Sequence, residues 1–198
     1  MFGLFKSKQK ELLTKDFIWK NEASKYSALM KHLKESEKAI VVYYFDDTKH
    51  IAEEFLNSAS INYSTESNSF ATKVWLMNAK SLLHKSNIEN RIIFFAEHHP
   101  SFAVEKEIKQ HMLNNLGSSE AIFYTSFEDK LMQVFGSERI LQIMEKMGLK
   151  DDEAIQHTLI SSSLEKAQQK IDEQIQFPSD ARIRKDWFVL NLPNTDKL

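Results

Sequence analysis

Apolar and polar residues follow one another along this chain in two rhythms. From Glu22 to Leu33, the residues Ala23, Tyr26, Leu29, Met30 and Leu33 recur at helical spacing. Ala39 to Phe45 (AIVVYYF) is instead an unbroken apolar run bounded by charge. Such a run predicts a strand buried on both faces, as in a parallel sheet. Asp46, Asp47 and Thr48 offer N-cap oxygens to a helix carrying Ile51, Ala52, Phe55 and Leu56. Residues 61–64 and 73–77 are further strand candidates, with a short helix near 79–84, and RIIFFA at 91–96 is a second buried strand. A helix follows through about residue 114, with Val104, Ile108 and Met112 on one face and Gly117 just past its end. Residues 121–125 form the next strand. Beyond Phe127 the spacing is helical through Leu131, Met132, Val134 and Phe135, then Ile140, Leu141, Ile143 and Met144, with breaks at Gly136 and Gly148.

Residues 151–176 predict one long amphipathic helix, on which Ile155, Leu159, Ile160, Leu164, Ala167 and Ile171 keep a 3.6-residue period up to Pro178. Trp187 to Leu190 then reads as a docking strand. Strands alternate with helices from Glu22 to Tyr124. That order implies a three-layer α/β architecture, a parallel sheet of five or six strands with helices on both faces and a helical C-terminal extension.

Composition narrows the chemistry. The formal charge of −2 gives no global field for nucleic acid or anionic lipid, and the absence of cysteine removes disulfides and thiolate zinc sites. A reducing, cytoplasmic setting is expected. No apolar run approaches the roughly 20 residues of a membrane span. The N-terminus MFGLFKSKQK mixes Phe2, Leu4 and Phe5 with Lys6, Lys8 and Lys10, so membrane contact is expected at most peripherally, through this segment. Glycines occur only at positions 3, 117, 136 and 148. Neither a Walker A loop nor a G-x-G-x-x-G turn is present, and a backbone without such glycines cannot approach phosphates closely.

FYTSFEDKLMQVFGSERI (residues 123–140) and MEKMGLKDDEAIQHTLISSSLEKAQQKI (residues 144–171) carry a specific likeness. They resemble SecA segments that run F-Y-L-S-x-E-D-D-L-M-x-x-F-G-S-x-R-I and M-D-R-L-G-M-x-E-D-E-P-I-E-H-K-M-V-x-x-x-I-E-x-A-Q-K-K-V. Upstream, Asp16 to Trp19, AIVVYYFDDTKHIAEEF and Ala96-Glu97-His98-His99 are colinear with the family, the last standing where it has T-E-R-H. The resemblance covers residues 15–175. It implies the second RecA-like (P-loop NTPase-like) domain of the SecA preprotein translocase motor and the start of its helical scaffold. The domain plan that follows is a flexible N-terminal segment at 1–14, a degenerate RecA-like α/β domain at 15–147, and a helical extension and tail at 148–198.

The departures concern catalysis. The family's Q-L-R-G-R-S-G-R, whose arginines reach ATP phosphates, aligns with EIKQHMLN at 107–114. Its N-M-A-G-R-G-T-D aligns with MNAKSLLH at 77–84. The finger arginines and the glycines are replaced, and an arginine finger stabilises the charge that develops in phosphoryl transfer. The chain is therefore expected to be a pseudo-ATPase with no enzymatic activity and no cofactor.

Candidate residues are Glu97, His98 and His99 at a strand's carboxyl end, where open α/β sheets bind ligands. Adjacent residues point to opposite faces, so the two histidines are poorly placed to share a metal, and no metal site is assigned. Lys109 and His111 stand as vestigial phosphate contacts, two apart on a helix and so on different faces. Asp46, Asp47 and His50 offer a carboxylate–imidazole pair, but an N-cap role of Asp46 or Asp47 explains them more simply. Phe5, Trp19 and Trp187 are the aromatics expected at the surface, too few for a nucleic-acid platform. Ile155, Leu159 and Leu164 form an apolar stripe for a partner, with the face around 97–101 as a second contact surface. The expected function is a non-catalytic SecA-like protein-interaction domain, linked to preprotein export or self-association. The alternative is a nucleotide-binding half-site that completes a composite ATPase with another chain.

Overall fold

The computed structural model describes residues 12–65, 71–118, 120–134, 148 and 150–192. Six strands form a single sheet: β1 (Leu13–Trp19), β2 (Ala39–Tyr43), β3 (Tyr63–Ser64), β4 (Val74–Asn78), β5 (Ile92–Phe95) and β6 (Glu120–Ser126). Their spatial order is β1-β6-β5-β2-β4-β3, and every neighbouring pair is parallel. The expected α/β parallel sheet is what forms.

The helices are α1 (Glu22–Glu35), α2 (Asp46–Ser58), α3 (Ala79–Leu82), α4 (Phe102–Asn115), α5 (Lys130–Val134), α6 (Thr158–Gln174) and α7 (Arg184–Asn191). The strand period of two sorts the apolar residues into two cores. Val41, Val74, Leu76, Phe94 and Tyr124 meet Tyr26, Leu29 and Leu33 of α1 and Ala52 and Leu56 of α2. Ile40, Val42, Trp75, Met77, Ile93, Phe95 and Phe123 face the other way. They meet Leu82 of α3, Ile108 and Met112 of α4, Leu164 and Ile171 of α6, and Trp187 and Phe188 of α7. The C-terminal extension therefore shares the core of the sheet domain.

Local chemistry sets the ends. Asn21 accepts the amide of Ser24 at 2.8 Å and starts α1. Helix α2 departs from the reading above: its N-cap is Phe45, without a side-chain cap, and Asp46 and Asp47 lie inside the first turn. There they face the positive helix end and remain free to bond elsewhere.

Three further expectations change. Strand β1 was not anticipated as an element, because LTKDFIW carries two charges and breaks the apolar run. The long helix begins at Thr158. Upstream, Ile155 exchanges backbone hydrogen bonds with Ile18 of β1 at 2.9 and 3.0 Å, and that pairing draws the chain out of helix. Trp187 to Leu190 lies in helix α7, not a strand. The expected helix through Ile140 to Met144, the break at Gly136 and the N-terminal segment through residue 11 lie outside the described residues.

Burying a leucine side chain is worth roughly 1.5–3 kcal/mol. Leu164 is 4 % exposed and Leu159 is 68 % exposed on the same helix. Leu164→Ala is expected to lower stability by about 2–5 kcal/mol, read as a fall in the urea midpoint. Leu159→Ala should stay within about 0.5 kcal/mol of wild type. Equal effects would mean that α6 does not dock as described.

Candidate functional site

The carboxyl ends of β2, β5 and β6 converge on one buried carboxylate. Glu97 follows β5 and has no exposed surface. Its Oε1 accepts the amides of Tyr44 and Phe45 at 2.8 and 3.0 Å, which close the end of β2. Its Oε2 accepts Nη2 of Arg184 at 2.7 Å. The same guanidinium reaches Thr48 Oγ1 through Nη2 at 2.5 Å and Asp129 Oδ2 through Nη1 at 3.0 Å. Asp129, just past β6, uses Oδ1 to accept the amide of Leu131 at 3.0 Å. Burial pushes the Glu97 carboxyl up; Arg184 and the two amides oppose that but leave it raised. Burial alone would lower Arg184; Asp129 and Glu97 more than offset that and raise it.

Arg184 arrives on a strap. Residues after α6 cross the sheet edge, and the Asn191 side chain closes them into a loop. Its Oδ1 accepts the amide of Ser179 at 2.7 Å, and its Nδ2 donates to the Ser179 carbonyl at 2.8 Å. The Arg182 carbonyl accepts the Asp46 amide at 2.7 Å, and the Arg182 guanidinium pairs with Asp46 at 2.7 Å. Trp187 meets the His99 ring edge-on at 5.3 Å.

A second network lies beside the first. His98 stacks on Phe123 at 4.2 Å between two carboxylates. Its Nδ1 is 2.9 Å from Glu105, and its Nε2 is 3.3 Å from Asp16. Lys109 pairs with Glu105 at 2.6 Å. The Gln168 amide donates to Glu105 at 3.0 Å and to the His99 carbonyl at 2.7 Å, which ties α6 to the sheet edge. Burial would lower the His98 pKa, but Glu105 and Asp16 overcome it and raise the imidazole to about 9. Burial opposes ionisation of Glu105 as well; His98 and Lys109 win and hold that carboxyl well below the ordinary range. His99 behaves oppositely. Burial lowers it to about 4. Its Nδ1 accepts the Ser101 amide at 3.0 Å, so the neutral ring carries its proton on Nε2.

The candidate residues thus have definite places. Glu97, His98 and His99 come together at the sheet edge, with the two histidines on different neighbours. However, residues 97–101 are buried beneath the strap and α6, so this face is covered rather than open to a partner. Lys109 is engaged by Glu105, and His111 donates from Nε2 to the Lys85 carbonyl at 2.9 Å; they do not share an anion site. Leu164 lies in the core, Ile155 packs against it, and of that stripe Leu159 alone is exposed, because the stripe folds back on this domain. Trp19 and Trp187 are buried, against expectation, by Tyr124 stacking and by the strap respectively, and Phe5 lies outside the described residues. His50 is exposed. Among the described residues, no cluster of three His, Asp or Glu is arranged to hold a metal, and no helix is long and apolar enough to cross a membrane. Sequence reading missed Asp16, Asp129, Gln168 and Arg184. Only Asp16 gave a signal, as a charge beside the apolar Phe17–Trp19; Asp129, Gln168 and Arg184 lie among other polar residues and carried none.

A family model described as the SecA P-loop domain matches residues 46–152, more than half of the chain. The chain belongs to the SecA P-loop domain family. The matched stretch runs from the first turn of α2 through Glu97 and Asp129. The protein translocase subunit SecA of Chlorobium limicola is 35% identical over 82 residues, covering 41% of this chain and 8% of that protein. SecA of Christiangramia forsetii is 43% identical over 77 residues, covering 39% and 7%. The match spans less than a tenth of the length of these curated relatives. The solved C-terminal part of the Fun30 ATPase domain aligns at a TM-score of 0.38 and 14% identity, covering 75% of this chain and 54% of that one. That overlap is too loose to carry an argument. The likeness to SecA read from the sequence is borne out.

NMR of the histidine rings should place the His98 titration near pH 9 and that of His99 near pH 4. The folded His98 pKa lies above the ordinary 6.5. Its stabilising contribution is whole below about pH 6.5 and fades as pH rises through 9. The melting temperature of wild type should therefore fall more between those values than that of His98→Gln. Parallel curves would show that the carboxylates do not hold a charged His98.

Proposed function

We propose that this chain is a non-catalytic SecA-like domain that works by binding a protein of the export machinery. The observation that carries the reading is that the sheet's carboxyl edge, where open α/β sheets take ligands, is filled by the chain's own Arg184 and strap. The residues at the family's phosphate-reaching positions support it. Lys109 and His111 are occupied by Glu105 and the Lys85 carbonyl, so neither presents a cation to a nucleotide. Fold-level kinship with an ATPase does not carry its chemistry. Among the described residues, exposed apolar side chains available for association include Leu159 on α6, Phe177 and Ile183 on the strap, and Val189 and Leu190 on α7.

Two measurements test the reading. Thermal-shift titration with millimolar ATP or ADP and magnesium should leave the melting temperature unchanged, since a ligand of the folded state must raise it by mass action. A saturable, magnesium-dependent rise would instead favour a half-site that completes a composite ATPase. Sedimentation velocity with purified SecA from the same cell should show a complex. A chain that stays monomeric both alone and with SecA would overturn the export-linked interaction role.

A further inference from the structure

We propose that residues 2–10 of this chain dock on its own sheet, in an open apolar groove at the amino ends of β1, β5 and β6. The proposal is independent of the export reading. It gives a place to an apolar and basic segment that the site described above does not use.

Helix α1 leaves one corner of the sheet open. It runs back across the sheet and ends at Glu35. Beside its last turn lies a groove of about 320 Å³. Phe17, Ile92, Phe94, Ile122 and Tyr124 form the floor, and Lys15, Glu120, His32 and Glu35 the rim. Strand register sets Lys15 beside Ile122 and Phe17 beside Tyr124. Leu13, two residues before Lys15, therefore lies on the same face. A parallel sheet normally has both faces covered. Here Leu13 is 57 % exposed and Ile92 43 % exposed.

Length, apolar content and charge fit residues 1–11 to this groove. The segment joins the fold at Leu12, just before the amino end of β1 and so at the mouth of the groove. Phe17 lies four residues beyond Leu13, ~13 Å at 3.3 Å per residue. A chain reversal takes about four residues, and about four more in extended form retrace the distance to Phe17. Counted back from Leu12, that brings Leu4 and Phe5 over the floor and leaves Lys6, Lys8 and Lys10 along the rim. The rim is negative where they pass. Lys15 is paired with Glu120, while Glu35 is exposed. Burial, and then the Glu35 carboxylate, push the Tyr124 phenol up. Lys31 and Lys34 line the other flank of α1, with Phe55 of α2. A tether this short holds the segment beside the groove at an effective concentration on the order of millimolar, whereas one apolar cluster binds a lipid surface weakly.

The chain has no cysteine, so a pair of introduced cysteines reports proximity without background; a disulfide needs Cα atoms within about 7 Å. Ser7→Cys with Ile92→Cys should form an intramolecular bridge under mild oxidation of dilute full-length protein. Ser7→Cys with Thr14→Cys is the control, since Thr14 is nearer along the tether but on the other face of β1. The Ile92 pair should close several-fold faster than the control. Adding Leu4→Asp and Phe5→Asp should bring it down to the control rate, and Glu35→Lys should slow it roughly two- to fivefold at low salt. Equal rates for the two pairs, or disulfide-linked dimers in place of the internal bridge, would overturn the proposal. Should the paired variants misfold, methyl NMR on the otherwise native chain decides. Leu4→Asp with Phe5→Asp should then shift the Ile92 and Ile122 methyl signals and leave Ile171 unmoved. Unmoved Ile92 and Ile122 signals would overturn the docking. If the wild-type chain also sediments with phosphatidylglycerol vesicles, the segment belongs to a lipid surface instead.

Discussion

A carboxylate with no access to water has to be neutralised from within its own chain, and the architecture around Glu97 follows from that demand. Two amides at the end of β2 supply part of the compensation, and a guanidinium supplies the rest. The cation comes from 87 residues further along the chain, so the C-terminal strap must cross the sheet edge to deliver it. Removing one member of a buried pair is far more damaging than never having had the pair, because the remaining charge stays desolvated. Strap, α7 and edge therefore stand or fall together, and the covered face around residues 97–101 is a consequence of that coupling.

Much of the architecture was written in local pattern. AIVVYYF and RIIFFA read as buried strands because nothing polar interrupts them, and α1 and α4 carry their periodicity and caps in plain sight. Where reading failed, a contact distant in sequence had overridden a local preference. Ile155 keeps a helical period with Leu159 but pairs with Ile18, so α6 starts later than its pattern. Trp187 to Leu190 is a four-residue apolar run, too short for periodicity to separate strand from helix.

The candidate site was half visible for the same reason. Glu97, His98 and His99 announce themselves as polar residues ending an apolar strand. Their partners are single polar residues on β1, α4, α6 and the strap, and all but Glu105 are far away in the sequence. What the sequence could not express is that two adjacent histidines live in opposite charge states. One lies between carboxylates and is charged, while the other lies among aromatic rings and is neutral. The family resemblance was carried by fold-forming segments, and it speaks to architecture more strongly than to chemistry.

The antiparallel bridge between Ile18 and Ile155 has a bearing on solubility. A parallel sheet ends in a strand whose outward amides and carbonyls invite another chain to add itself. Here the apolar end of β1 is closed by one residue of the same molecule, and midway along the strand Lys15 carries a half-exposed charge paired with Glu120. The far flank is β3, only two residues long. Both borders of the sheet are thus poor templates for strand addition. An apolar central sheet rich in Val, Ile and Phe is shielded from the sheet-to-sheet stacking that would carry it into fibrils.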